Sequence, residues 1–258
     1  MCLVLFSWND HPKYKLILAA NRDEFYNRPT KALTHWTDHE NIIAGRDLTG
    51  GGTWMGLHQA NRFTALTNHR DPSRILNDAP SRGDLTTDFL LSGKSPEAYF
   101  HAKAATMTQY NGFNLLVCDF HQMGYFNNVN NDFQLLADGT YGLSNAVLDT
   151  PWPKLEKAKS AFGKVVNSSE SPDVQSLYDI MQDRSLAHDD ELPQTGVPYE
   201  WEKAISAIFI EKGNYGTCCT TLVFITYEGK GEVRELSYPV GNRTAAEKVI
   251  EFEWSSFK

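Results

Sequence analysis

The chain has 258 residues, 41% of them hydrophobic, 22% charged and 12% aromatic, the balance of an ordinary soluble globular protein. Its 24 Lys and Arg against 32 Asp and Glu give a formal net charge of −8, which argues against phosphate-backbone binding and so against nucleic acid as the partner. No stretch approaches the ~20 apolar residues of a membrane span, and MCLVLFSWND has no basic region ahead of its apolar run; no span, no signal peptide and a cytoplasmic location are therefore expected.

In chain order, residues 2–8 predict a strand, NDHPK a turn around Pro12, and KYKLILAA a second strand ending at Asn21, together a hairpin. The polar stretch from Asn21 to about Gly52 reads as a loop. TWMGLHQ and RFTALTN predict another hairpin turning near Ala60 and Asn61. Ser81 reads as the N-cap of a helix over RGDLTTDFLLSG, and residues 96–109 as a second helix. GFNLLVCDF, GYFNNV, FQLLADG and YGLSNAV form a strand-rich middle. PWPKLEKAKSAFGKVV, with Pro at its start, and VQSLYDIMQD are helical. TCCTTLVFITY and EVRELSYPV are the last strands, before a polar tail. Strands and helices in segregated runs predict a layered α+β fold, read as one domain over residues 1–258.

The four cysteines, Cys2, Cys118, Cys218 and Cys219, make no CxxC and no zinc-like spacing with histidine. They fit a reducing compartment without a disulfide framework. His35 and His39 lie four apart, yet the HWTDH between them is loop-like and no third ligand is near. Neither a metal nor a cofactor is expected.

Cys2 has two readings. With Met1 removed it carries a thiol nucleophile and a free α-amine that titrates near 7.7–8.0 and can take the thiol proton. As a buried small hydrophobe at the head of an apolar strand it does nothing chemical. ANRDEFYNRP places Arg22, Asp23, Glu24 and Arg28 at the end of an apolar strand, as a solvated loop or as the rim of a site. There a guanidinium lowers a thiol pKa and a carboxylate holds an amine. Asn68 and Asn145 each close a predicted strand, as turn residues or as amide donors to an oxyanion.

Cys2 before an apolar strand, Asn21-Arg22-Asp23-Glu24 closing the next, and GGTWMG further on resemble the NRDE family, the transport and Golgi organisation family. Arg28-Pro29, Ala65-Leu66-Thr67-Asn68, Ser81-Arg82-Gly83, Gly112-Phe113-Asn114-Leu115 and Gly142-Leu143-Ser144-Asn145 extend the resemblance over essentially the whole chain. That family is distantly similar to the cysteine N-terminal-nucleophile hydrolases, such as penicillin V acylase and bile salt hydrolase. The resemblance implies an αββα sandwich of two antiparallel sheets flanked by helices, and amide hydrolysis through an acyl-cysteine. It implies catalytic roles for Cys2, Arg22, Asp23, Asn68 and Asn145, and substrate binding by Glu24, Trp54 and Cys218. Cys218 stands where such relatives carry an arginine, a departure that implies a different substrate or a lost activity.

Two functions follow from the resemblance. One is hydrolysis of an amide or thioester bond in a small acylated substrate. The other is a non-catalytic carrier or chaperone for an apolar ligand such as haem or an acyl lipid, with Trp8, Phe25, Trp36 and Trp54 as candidate lining.

Overall fold

The computed structural model describes residues 2–239 and 244–254. In chain order the first elements are β1 (Cys2–Trp8), β2 (Tyr14–Phe25), β3 (Thr30–His35), β4 (Ile42–Asp47), β5 (Met55–His58) and β6 (Arg62–Asn68). Then come α1 (Gly83–Ser92), α2 (Pro96–Lys103), β7 (Phe113–Cys118), β8 (Met123–Asn127), β9 (Asp132–Leu135) and β10 (Gly139–Leu143). The last are α3 (Pro153–Val166), α4 (Val174–Met181), α5 (Tyr199–Ala204), β11 (Glu211–Lys212), β12 (Tyr215–Thr226), β13 (Lys230–Ser237) and β14 (Ala246–Glu253). They group into two compact units, Met1–Asn27 with Asp138–Phe252, and Arg28–Ala137 with Glu253–Lys258.

In the first unit the apolar runs that predicted β1, β2 and β12 lie side by side in a sheet of order β10-β1-β2-β12-β13-β14, with β11 beside β12. Alternation of side chains sends Leu3, Leu5, Ile17, Ala19, Leu222 and Phe224 to one face. Against that face α3 lays Leu155, Ala158, Phe162 and Val166, residues spaced three or four apart as an amphipathic helix requires. Pro153 opens α3 where its missing N–H has no intrahelical partner to lose. Asp173 caps α4 by accepting from the Ser176 N–H at 2.8 Å, and α4 adds Leu177, Tyr178 and Met181 to the same core.

In the second unit the sheet runs β3-β4-β5-β6-β7-β8-β9. Leu85 and Phe89 of α1 and Tyr99 of α2 pack on Leu66, Phe113, Leu115, Val117 and Phe126. Asn61 takes the left-handed conformation (φ 59°) in the turn between β5 and β6, at the turn the sequence marks. Gly93 ends α1 at φ 64°, a left-handed C-cap that glycine adopts without strain. Among the described residues no helix is long and apolar enough to cross a membrane.

Two antiparallel sheets with helices on one face of each are the α+β arrangement the sequence predicts. The elements differ in places. β2 runs on through Phe25, and β3 and β4 occupy part of the supposed loop between Asn21 and Gly52. The polar tail holds β14, an edge strand whose residues are mostly exposed and so carry little apolar signal. Arg82, not Ser81, is the N-cap of α1, and the helix from residue 96 turns into a 3-10 helix over Ala104–Gln109.

Candidate active site

Three strands of the first sheet bring one row of side chains together. Cys2 of β1 stands opposite Arg22 of β2, and Arg22 opposite Cys219 of β12. On the other side of β1, Val4 stands opposite Leu143, the last residue of β10. The Ser144 hydroxyl, one residue further on, donates to the Cys2 carbonyl at 3.4 Å and faces Asn145 Oδ1 at the same distance. Since Leu3 and Leu5 face α3 and α4, alternation puts Cys2, Arg22 and Cys219 on the opposite face.

The NRDE stretch is a strand end, and its period of two divides it by task. Asn21 points to the helices: its amide donates to the Met181 and Ile208 carbonyls at 2.8 and 3.0 Å, and its carbonyl accepts from the Thr220 hydroxyl at 2.6 Å. Asp23 follows on that side, 2% exposed, accepting from the Thr217 hydroxyl at 2.7 Å. Arg22 and Glu24 take the Cys2 face, 3.7 Å apart. Asn21 thus fastens the strand, and the charged pair Arg22 and Glu24 stands on the Cys2 face.

Burial sets the electrostatics. Cys2 is 8% exposed. Burial pushes its thiol pKa up, the Asp23 charge adds to this, and the Asp23 N–H bonded to the thiol and the Arg22 charge pull against it. Burial would lower the Arg22 pKa, but Cys219, Cys2, Glu24 and Cys218 around the guanidinium raise it on balance. The Asp23 carboxyl is likewise raised by burial, against the pull of Lys154, Thr217 and Arg22. Cys219 is pushed well above an ordinary thiol, first by burial and then by Glu235. Arg22 is therefore a firm cation beside thiols that resist ionising.

The structure gathers Cys2, Arg22, Asp23, Glu24, Asn145 and Cys218 in the first unit. Cys218 lies at a bulge between Thr217 and Cys219, 1% exposed, its thiol turned to the Glu24 and Gly216 carbonyls at 3.7 and 3.5 Å. Cys219 was not among the expected site residues. A bulge inside an uninterrupted buried strand leaves no mark in the sequence, so the register past Thr217 is not legible there.

Asn68 and Trp54 belong to the second unit. Asn68 closes β6 opposite Phe113, and the Trp54 carbonyl accepts from the Leu66 N–H at 2.7 Å. Beside Asn68, Thr67, Asn114 and Asn127 form a fully buried polar row. Asn114 donates to Thr67 at 3.1 Å and accepts from Tyr125 and Asn127 at 2.8 and 2.7 Å. Of the aromatics considered for a ligand lining, Trp8 and Trp36 are 2% exposed core residues, whereas Phe25 is 44% exposed over Tyr215. Among the described residues no group of three or more His, Cys, Asp and Glu is placed to hold a metal ion.

Known proteins share both the sequence and the fold. Residues 1–239 match the family described as Transport and Golgi organisation 2. The Transport and Golgi organization 2 homolog of Mus musculus is 33% identical over 249 residues, which cover 89% of this chain and 90% of its own. The Transport and Golgi organization protein 2 of Drosophila melanogaster is 27% identical over 259 residues, covering 89% of each. A mutant of the conjugated bile acid hydrolase from Clostridium perfringens superposes with a TM-score of 0.51 at 8% identity, covering 99% of this chain and 97% of that one. That likeness is one of fold, the N-terminal-nucleophile hydrolase fold.

Proposed function

The chain belongs to the Transport and Golgi organisation 2 family, as its NRDE stretch leads one to expect, and from that premise we propose that it is an N-terminal-nucleophile hydrolase of amide or thioester bonds in small acylated molecules. One observation carries the proposal: the pairing of β1 with β2 that sets Cys2 opposite Arg22, with the Ser144 hydroxyl, one residue before Asn145, on the Cys2 carbonyl. Removal of Met1 makes Cys2 the N-terminus, and its α-amine becomes the base the thiol needs.

In this reading the amine takes the thiol proton and the sulfur attacks the substrate carbonyl. The carbonyl electron pair moves to oxygen, where the Asn145 amide and backbone N–H groups stabilise the charge. The reading gives Asn68 the part of a further amide donor and Trp54 that of a substrate contact, on their family-matching places in the sequence. Collapse expels the leaving group, which takes the proton from the Cys2 ammonium. Water, deprotonated by the same amine, then attacks the thioester; the acid leaves and the thiol is restored. Arg22 lowers the thiol pKa, and Asp23 holds the amine. Glu24 and Cys218 are assigned to substrate, and the four free thiols suit a reducing, cytoplasmic setting.

The test is mass spectrometry after treatment with a thiol-reactive acyl probe. One acyl group per chain, on Cys2, supports the reading; equal labelling of Cys118, Cys218 or Cys219 opposes it. A second reading draws on one observation, that burial pushes the Cys2 thiol up and so makes it sluggish. It is a carrier of an apolar ligand, haem or an acyl lipid. Titration with haem or an acyl thioester tests it, and binding that is absent, or indifferent to substitutions around Cys2, excludes it.

A further inference from the structure

The chain leaves the end of β10 at Leu143, passes through Ser144 and Asn145, and comes back to β10 before α3 begins at Pro153. Among the described residues β1 is the one strand beside β10. On the other edge Asp149 serves both backbone groups of Gly142, as a further strand would. Its carboxylate accepts from the Gly142 N–H at 2.8 Å, and its own N–H donates to the Gly142 carbonyl at 2.8 Å. The two bonds close a ring in which Ser144 and Asn145 are buried and Asp149 is exposed.

The ring is held from several sides. Asp149 takes the left-handed conformation at φ 56°, which Asp and Asn adopt more readily than most residues. Lys159 of α3 answers its charge, donating to the same Oδ1 at 2.8 Å. Leu155, one turn earlier on α3, lies so close to Gly142 that a Cβ there would stand 2.9 Å from its Cδ1. Residues four apart share a helix face, so one face of α3 fixes both ends of the ring, Leu155 at Gly142 and Lys159 at Asp149. At the inner end the Ser144 hydroxyl reaches the Cys2 carbonyl and Asn145 Oδ1, each at 3.4 Å. The loop that Asp149 closes is thereby tied to the head of β1.

We infer that Asp149 is a positioning residue: by closing the ring on Gly142 it holds the Asn145 amide where that amide serves the oxyanion formed at Cys2. This rests on the hydrolase reading, which gives Asn145 that part. Asp149 itself meets no reacting atom and acts through Asn145.

The test compares two reactions of Cys2 in the full chain. Acylation by the thiol-reactive acyl probe passes through a tetrahedral oxyanion, whereas alkylation by iodoacetamide displaces iodide and forms none. Asn145→Ala slows acylation about a hundredfold. Asp149→Ala slows acylation about tenfold and leaves alkylation at the wild-type rate. Asp149→Asn, which keeps an oxygen for the Gly142 N–H and accepts the left-handed backbone, restores most of the acylation rate. In the Asn145→Ala background Asp149→Ala costs nothing more, because the amide it positions is gone. Acylation and alkylation slowed alike by Asp149→Ala overturn the proposal and leave Asp149 a brace for the fold. Acylation untouched by Asp149→Ala overturns it too, as does an undiminished loss in the Asn145→Ala background; in each case the hydrolase reading stands. Asn145→Ala acylating at the wild-type rate removes Asn145 from the oxyanion and the proposal with it. A wild type with Met1 removed that takes no acyl group on Cys2 overturns the hydrolase reading itself, and the role of Asp149 falls with that reading.

Discussion

Cys2 sits under opposed forces: burial and Asp23 hold its proton on, while Arg22 and the Asp23 N–H draw the thiolate out. Removing Arg22 takes away one of the two opposing pulls and leaves the Asp23 N–H as the other. Arg22→Met therefore raises the thiol pKa and slows Cys2 alkylation at pH 7 by about tenfold, in proportion to the thiolate lost, read as labelling rate against pH. Cys219, buried and pushed far up, stays unlabelled under the same conditions. The sequence singled out Cys2, Arg22, Asp23 and Asn145, and all four belong to the first unit, where Cys2 stands opposite Arg22. What stayed hidden was direction. Nothing in the letters says that Asn21 and Asp23 turn to the helices while Arg22 and Glu24 turn to Cys2, because the strand was expected to stop at Asn21.

At the scale of elements, β2 is a two-faced strand whose last residues are fixed by side-chain bonds to other elements. Asn21→Ala removes the amide that serves the Met181 and Ile208 carbonyls and accepts from the Thr220 hydroxyl, which keeps the Tyr238 hydroxyl as its partner. Urea denaturation is expected to show a loss of about 3 kcal/mol. Gly216 at the start of β12 leaves no room for a methyl group, which would meet the Ile210 carbonyl and the Tyr26 hydroxyl. Gly216→Ala is expected to displace the strand end and cut Cys2 labelling, although it touches no reacting atom. Elements with a buried face announced themselves: α3 through Leu155, Ala158, Phe162 and Val166, and β1 through its apolar run. β3 and β14 lie at sheet edges, where one strand neighbour and mostly half-buried or exposed side chains leave no period to read. The bulge at Cys218 is hidden for the opposite reason, since every residue of β12 is buried.

For the molecule as a whole, the titrating groups pull stability in two directions with pH. Burial alone would raise the Asp47 carboxyl, but Arg28 and the amides of Thr49 and Gly50 bring it below its ordinary value. Asp183 is lowered likewise by Lys157 and the Ser185 amide and hydroxyl, against burial. Such carboxyls stabilise the fold above their unfolded pKa and give that up as pH falls through the folded one. Asp23 has the reverse sign: its raised pKa adds stability only at low pH, lost as pH rises through the folded value. Melting curves are therefore expected to fall below about pH 4, with Arg28→Ala flattening the fall and Asp23→Asn removing the opposing trend. The family and the α+β fold were legible because their marks are local runs at fixed places. The division into two compact units was not, because it depends on contacts between distant parts of the chain.

The hydrolase account stands or falls on the state of Cys2. Intact-mass spectrometry of the purified protein, before and after the acyl probe, reads that state directly. The account predicts a chain lacking Met1 that gains a single acyl group, placed on Cys2 by peptide mapping and absent from Cys2→Ala. An active protein that keeps Met1, or an adduct spread over Cys118, Cys218 and Cys219, would contradict it.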